Sequence, residues 1–216
     1  MNNAYQLIIF DWDGTIMNSA ARITKCMQHM EKTLNLPVHS DTQIQQFIGL
    51  SLATAILQLH PSLTDEQTDQ AVAIYREVYL GHPFASDLFE GAKTLIQTLH
   101  AHYTLAIATG KGRLGLNKAL DQYDLAPYFT ASRTADETSS KPNPQMLEEL
   151  LIETGTPVEQ ALMIGDTTFD LEMAKNIGMH SLGVSYGVHD IQQLESAHPQ
   201  AIIDSPKALQ DWLMNT

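Results

Sequence analysis

The sequence predicts an α/β fold in which a parallel sheet is covered by helices and an all-helical block interrupts the chain after the first strand. Three features carry this expectation. Six short apolar runs have the length and composition of buried strands. From about residue 90 these runs alternate with helical stripes, the pattern of a sheet with helices on both faces. Between the first run and the second, roughly 90 residues show only helical periodicity.

The runs fall at 6–12, 103–109, 128–133, 161–166, 180–185 and 201–204. Ala92, Leu95, Ile96 and Leu99 share one helix face, as do Met146, Leu147, Leu150 and Leu151, and again Ala208, Leu209, Trp212 and Leu213. In the interruption, 20–36, 41–47, 52–59 and 64–80 read as helices, with Asp41 and Thr64 as N-caps; Gln67, three residues after Thr64, completes a capping box. The core is expected over 1–16 and 89–216, and a helical cap over 17–88. His82-Pro83 and Ser86-Asp87 are expected to form the return hinge.

The chain has 216 residues, enough for one large domain or one domain with an insertion. At 44% hydrophobic and 17% charged residues it is not disordered. Twelve basic against 25 acidic residues give a net charge of −13. That surface repels phosphate backbones and argues against nucleic acid as a partner. A small anion stays possible where a bound cation inverts the local field. Cys26, the single cysteine, permits neither an intrachain disulfide nor a cysteine zinc cluster, and fits a buried helix position. The N-terminus shows neither a signal peptide nor a membrane span, so a soluble cytoplasmic protein is expected. Oligomeric state is not encoded legibly.

Four polar clusters follow apolar runs. In Asp11-Trp12-Asp13-Gly14-Thr15, two carboxylates leave the first strand at its carboxyl end, where open parallel sheets bind ligands. Carboxylates that close disfavour each other's charge unless they share a cation. Mg²⁺, which combines few protein carboxylates with substrate phosphate, suits the pair. Thr109-Gly110-Lys111 offers a hydroxyl, backbone N–H groups and an ammonium, all of which bind phosphate. In Lys141-Pro142-Asn143-Pro144 the prolines fix the approach of a lysine to a helix that Asn143 caps and Pro144 begins. In Gly165-Asp166-Thr167-Thr168-Phe169-Asp170, Asp166 ends a strand and Asp170 enters the first turn of a helix. Each has a structural reading: an Asp-Gly turn, a strand-to-helix turn, a solvated lysine, a helix cap at Asp166. Together they describe a Mg²⁺ site facing a phosphate pocket.

This order of motifs resembles the haloacid dehalogenase-like hydrolase superfamily over nearly the whole chain. The helical insertion after the first motif resembles its phosphoglycolate phosphatase-like branch. The resemblance implies a Rossmann-like core, a mobile helical cap, and Mg²⁺-dependent hydrolysis of a small phosphomonoester, phosphoglycolate-like or a sugar phosphate. It implies Asp11 as nucleophile and Asp13 as acid and base. Thr109 and Lys141 would hold the phosphoryl group, with Gly14, Thr15, Gly110 and Lys111 around the substrate. Asp11, Asp13 (through its carbonyl) and Asp166 would hold the metal, supported by Asp170. In the cap, Gly49 and Arg22 are the expected contacts to the leaving group. Asn18 stands where the family often has an acid, and can cap the first cap helix.

Two alternatives remain at this stage. Gly110, Gly112 and Gly115 spell G-x-G-x-x-G after a strand, the fingerprint of an NAD(P)-dependent oxidoreductase, although Asp136 comes late for the ribose acid. A P-loop is excluded because Gly112 replaces the required Ser or Thr. A sugar-phosphate mutase of the same superfamily is the other, but Lys25 and His29 are wrongly arranged for it.

Overall fold

The computed structural model describes residues 5–81 and 87–215. In chain order the strands are β1 (Leu7–Phe10), β2 (Met17–Asn18), β3 (Asp87–Leu88), β4 (Thr104–Thr109), β5 (Ala131–Thr134), β6 (Ala161–Gly165), β7 (His180–Val184) and β8 (Ala201–Ile203). The helices are α1 (Ala20–Thr33), α2 (Asp41–Gln45), α3 (Leu52–Leu59), α4 (Asp65–Gly81), α5 (Ala92–His100), α6 (Arg113–Gln122), α7 (Gln145–Thr154), α8 (Thr168–Lys175), α9 (Ile191–Ser196) and α10 (Pro206–Met214).

Six strands form a parallel sheet in the order β5-β4-β1-β6-β7-β8. Five lie within apolar runs read from the sequence, and β5 extends one residue past its run, to Thr134. The chain moves outward from β1 to β4 and β5, then returns to β6 on the other side of β1. Such a reversal opens a crevice at the carboxyl ends of the strands flanking it. The all-buried pattern of β1 arises because both faces are covered: Leu7 and Ile9 pack with Ala106, Met163 and α7, while Ile8 and Phe10 pack with Leu105, Ile107 and α5.

Helices α1–α4 surround an apolar cluster of their own, including Cys26, Met27, Met30, Ile56 and Tyr79. The true N-cap of α2 is Ser40, one residue before the expected Asp41, and it closes a capping box with Gln43. Thr64 and Gln67 make the reciprocal bonds read from the sequence. The expectation that no strand lies between Trp12 and residue 103 fails at two places. Met17–Asn18 pairs antiparallel with Asp87–Leu88, so a two-stranded ribbon joins the helical insert to the sheet. Asn18 sits in this ribbon and not at the cap of α1, which is Ser19. The hinge residues His82, Pro83 and Ser86 lie outside the described residues.

Inside the insert, buried Glu31 ties three segments together. Its Oε1 meets His39 Nδ1 at 2.7 Å and His60 Nε2 at 3.0 Å, and its Oε2 accepts the His39 backbone N–H at 3.0 Å. Glu31→Leu strands those donors and is expected to cost about 2–4 kcal/mol. A denaturation midpoint unchanged from wild type would contradict this.

Candidate active site

The ladder between β1 and β6 runs on one residue past β1, where the Asp11 N–H donates to Ile164 O at 2.9 Å. The chain then turns sharply: the amides of Ile16 and Met17 return to Trp12 O, and Gly14 takes a positive φ of 91°. Strand ends thus bring Asp11, Thr109 and Asp166 to one edge, and the first turn of α8 adds Asp170.

Asp11, Asp166 and Asp170 are buried, and one carboxylate oxygen from each lies within 4.8 Å of the others. Lys141, also buried, donates to Asp11 Oδ1 at 2.8 Å and to Asp170 Oδ1 at 2.5 Å. Burial works against the Lys141 ammonium, but the two carboxylates outweigh it and raise its pKa. Burial lifts the Asp11 carboxyl to about 7, with Lys141 opposing and Asp170 adding to the rise. Asp166 is pushed well above the usual carboxylate range, by burial and then by Asp11 and Asp170. One ammonium therefore leaves three buried carboxylates undercompensated, and Asp11 Oδ2 is buried with no hydrogen-bond partner among the described residues. An all-oxygen, acidic donor set with a spare buried oxygen suits a hard divalent cation.

The residues around Asp166 are spaced for it. Thr15 Oγ1 donates to its Oδ1 at 3.1 Å and the Val188 N–H to its Oδ2 at 2.9 Å. A Cβ on Gly14 would fall 2.0 Å from Asp166 Oδ2, and one on Gly187 would fall 2.2 Å from Asp166 Cβ. Gly14 and Thr15, expected around the substrate, thus serve the acidic cluster. Asp166 is not the helix cap; Thr167 is, in a box closed by Asp170. Pro144 occupies the N-cap of α7 and not its first turn, while the Asn143 side chain accepts the Gln145 N–H at 3.0 Å.

Asp13 faces the cavity from the other side of the turn. It accepts from Ser19 Oγ at 2.7 Å and from Lys111 Nζ, 3.0 Å from both carboxylate oxygens. Lys111 also donates to the Tyr79 hydroxyl at 2.7 Å. Burial opposes the Lys111 charge, yet Asp13 and Tyr79 raise its pKa to about 12. Lys111, expected as a phosphate contact, therefore braces Asp13. Arg22 does not line the cavity: its guanidinium bonds Tyr79 O and lies 4.2 Å over the Tyr79 ring. Ser19 and Tyr79 were not legible as site residues, because their partners lie on other segments.

The cavity holds about 330 Å³, with Asp11, Asp13, Thr109, Gly110 and Lys111 along the sheet edge and residues of α1–α4 and the 47–51 loop opposite. The insert is closed on the sheet. A Cβ on Gly110 would lie 2.4 Å from Gly49 O and 2.5 Å from Leu50 O, and the Ser51 N–H donates to Ser140 Oγ at 2.9 Å. Gly49 does line the cavity, but at a φ of 105° it also makes a turn that a side chain would strain. Gly110→Ala is expected to prop the insert open, lowering kcat/KM about 10²-fold by misplacing the cap loop, with little change in Tm. Unaltered kinetics would contradict this closure.

The dinucleotide reading finds no support here. A Cβ on Gly112 would meet Asp136 and one on Gly115 would meet the Lys111 side chain, while Asp136 caps the Arg113 N–H at 2.9 Å. Among the described residues, no helix is long and apolar enough to cross a membrane.

Comparison with known proteins agrees with this geometry. The family pattern of the haloacid dehalogenase-like hydrolases matches residues 8–184. The chain is 35% identical over 207 residues to "Probable phosphatase IndB" of Dickeya dadantii (strain 3937), covering 92% of this chain and 89% of that protein. It is 30% identical over 210 residues to the phosphoglycolate phosphatase of Vibrio cholerae, covering 92% of each. A hydrolase from Pseudomonas syringae superposes with a TM-score of 0.89 at 25% identity, covering 98% of each chain. The chain belongs to the haloacid dehalogenase-like hydrolase family, in its phosphoglycolate phosphatase-like branch, and is a phosphatase.

Proposed function

We propose that this phosphatase hydrolyses a small phosphomonoester in the cytoplasm, with Mg²⁺, through a phosphoryl group carried on Asp11. The observation that carries the reading is the buried Asp11, which lines the cavity beside Lys141 with one carboxylate oxygen that has no partner among the described residues. Asp11, Asp166 and the backbone carbonyl of Asp13 would hold the metal, with Asp170 positioning Lys141. When bound, Mg²⁺ offsets carboxylate and phosphate charge and so lets an anionic nucleophile approach an anionic ester.

In the first step a carboxylate oxygen of Asp11 bonds to phosphorus as the ester P–O bond breaks. Asp13 gives its proton to the departing oxygen. In the second, Asp13 takes a proton from water as the water oxygen bonds to phosphorus and the Asp11–phosphoryl bond breaks, releasing inorganic phosphate. Splitting the displacement in two lowers each barrier. Lys141 offsets the charge on Asp11, and the Thr109 hydroxyl, which accepts the Lys111 N–H at 3.2 Å, donates with the Gly110 N–H to the phosphoryl oxygens. Lys111 and Ser19 hold the Asp13 carboxyl toward the cavity. Helices α1–α4 act as the cap, excluding water.

Chelation with EDTA is expected to abolish phosphate release, and Mg²⁺ to restore it; full activity of the stripped enzyme would overturn the metal's role. The pKa shifts add a signed expectation. Asp11 titrates at about 7 folded against 3.8 unperturbed, so between those values the folded chain binds more protons and its stability falls as pH rises. Mg²⁺ opposes that loss, so it should raise the Tm of the stripped protein more at pH 8 than at pH 5. An equal rise at both would contradict binding at this cluster.

A further inference from the structure

We infer that the leaving group of the substrate is an apolar body on the order of six carbons or more, uncharged where it joins the phosphate, and not a two-carbon acid. This rests on the phosphomonoester reading above. Three contacts show the insert shut on the sheet: Gly110 against Gly49 and Leu50, Ser51 on Ser140, and Tyr79 on Lys111. About 330 Å³ remains inside, the place of the phosphoryl group beside Asp11 and Thr109 included. Small-ligand pockets of ~300 Å³ and above enclose bodies far larger than glycolate.

The walls away from the sheet edge are apolar and aromatic, with Ile23, Met27, Ile44, Phe47 and Tyr75 among them and Leu114 at the mouth. The charges near the phosphate end are already committed. Lys111 is bound to both oxygens of Asp13 and to Tyr79, and Asp136 accepts from Arg113 N and Thr134 Oγ1. A carboxylate one carbon from the ester oxygen, as in phosphoglycolate, would be buried beside Asp13 with no uncommitted cation there among the described residues, which is costly. The remaining cation among the lining residues is Arg76, which is exposed and stands near Gly112 at the outer end. A second anionic group is therefore accommodated only at the far end of a long leaving group.

The test is kcat/KM for ethyl, butyl and hexyl phosphate beside phosphoglycolate, all with Mg²⁺. The three alkyl esters share one leaving-group chemistry, so their differences report binding of the chain. Burial predicts a gain of about fourfold per methylene, on the order of 10² from ethyl to hexyl, with hexyl phosphate above phosphoglycolate. Leu114→Glu at the mouth should shrink the hexyl-to-ethyl ratio. A flat alkyl series, or phosphoglycolate above every alkyl ester, overturns the inference while leaving the phosphatase reading intact. No phosphate from any of the four esters would overturn the phosphomonoester reading and the inference with it.

Discussion

Asp11→Asn is expected to lower turnover by about 10⁴–10⁶, the scale on which loss of a nucleophile acts. The carboxamide cannot form the phosphoryl bond, and no other carboxylate in the cluster fills the place. Asp166 is held by Thr15 and Val188, and Asp170 by Thr167 and Lys141. The same change should not unfold the protein. Burial raises the Asp11 pKa to about 7, so above that pH the ionised carboxylate is a burden on the metal-free fold that the amide removes. Lys141 keeps Asp170 as its partner. Activity near background with an undiminished Tm in EDTA at pH 8 is therefore the expected pair of results. A Tm that falls along with activity would point to a structural role instead.

Lys141→Met should fail in both respects. Its ammonium is the buried cation that touches Asp11 and Asp170, and the methionine leaves the carboxylates without compensation. Breaking a buried pair by removing one partner costs about 3–5 kcal/mol. Loss of a group that offsets charge in the transition state lowers kcat by about 10²–10³. Mg²⁺ should recover part of the stability, because it brings positive charge to the same acidic cluster, but not the rate. A variant with wild-type Tm and wild-type kcat would remove Lys141 from the account.

The parallel sheet was legible because strands covered on both faces read as unbroken apolar runs; Leu7-Ile8-Ile9-Phe10 and Leu162-Met163-Ile164 need no periodicity to stand out. The ribbon of Met17–Asn18 and Asp87–Leu88 was not, since two residues carry no pattern and the pairing joins segments about 70 residues apart. Helices α6, α8 and α9 gave no stripe distinct enough to name. The acidic cluster could be read because Asp11 and Asp166 sit at strand ends and Asp170 in the helix turn that follows, where position alone brings them together. The bonds that Lys111 makes could not be read, for the opposite reason. Its nature as a phosphate contact or a brace depends on Asp13 and Tyr79, which only the folded chain delivers. Arg22 was expected to contact the leaving group, and in the structure its guanidinium bonds Tyr79 O and lies over the Tyr79 ring. The Glu31, His39 and His60 network was invisible for the same reason, since none of the three stands in a recognisable motif.

The central claim is that phosphate passes through Asp11. Asp13→Asn should slow the second step most, because no group then takes the proton from water, while p-nitrophenyl phosphate needs no acid for its leaving group in the first. Mixed with that ester and Mg²⁺, the Asp13→Asn protein is expected to release one equivalent of nitrophenolate rapidly. It should then carry the mass of one phosphoryl group on the peptide containing Asp11, and adding Asp11→Asn should abolish both the burst and the adduct. Steady turnover without an adduct, or an adduct on any other residue, would contradict the mechanism.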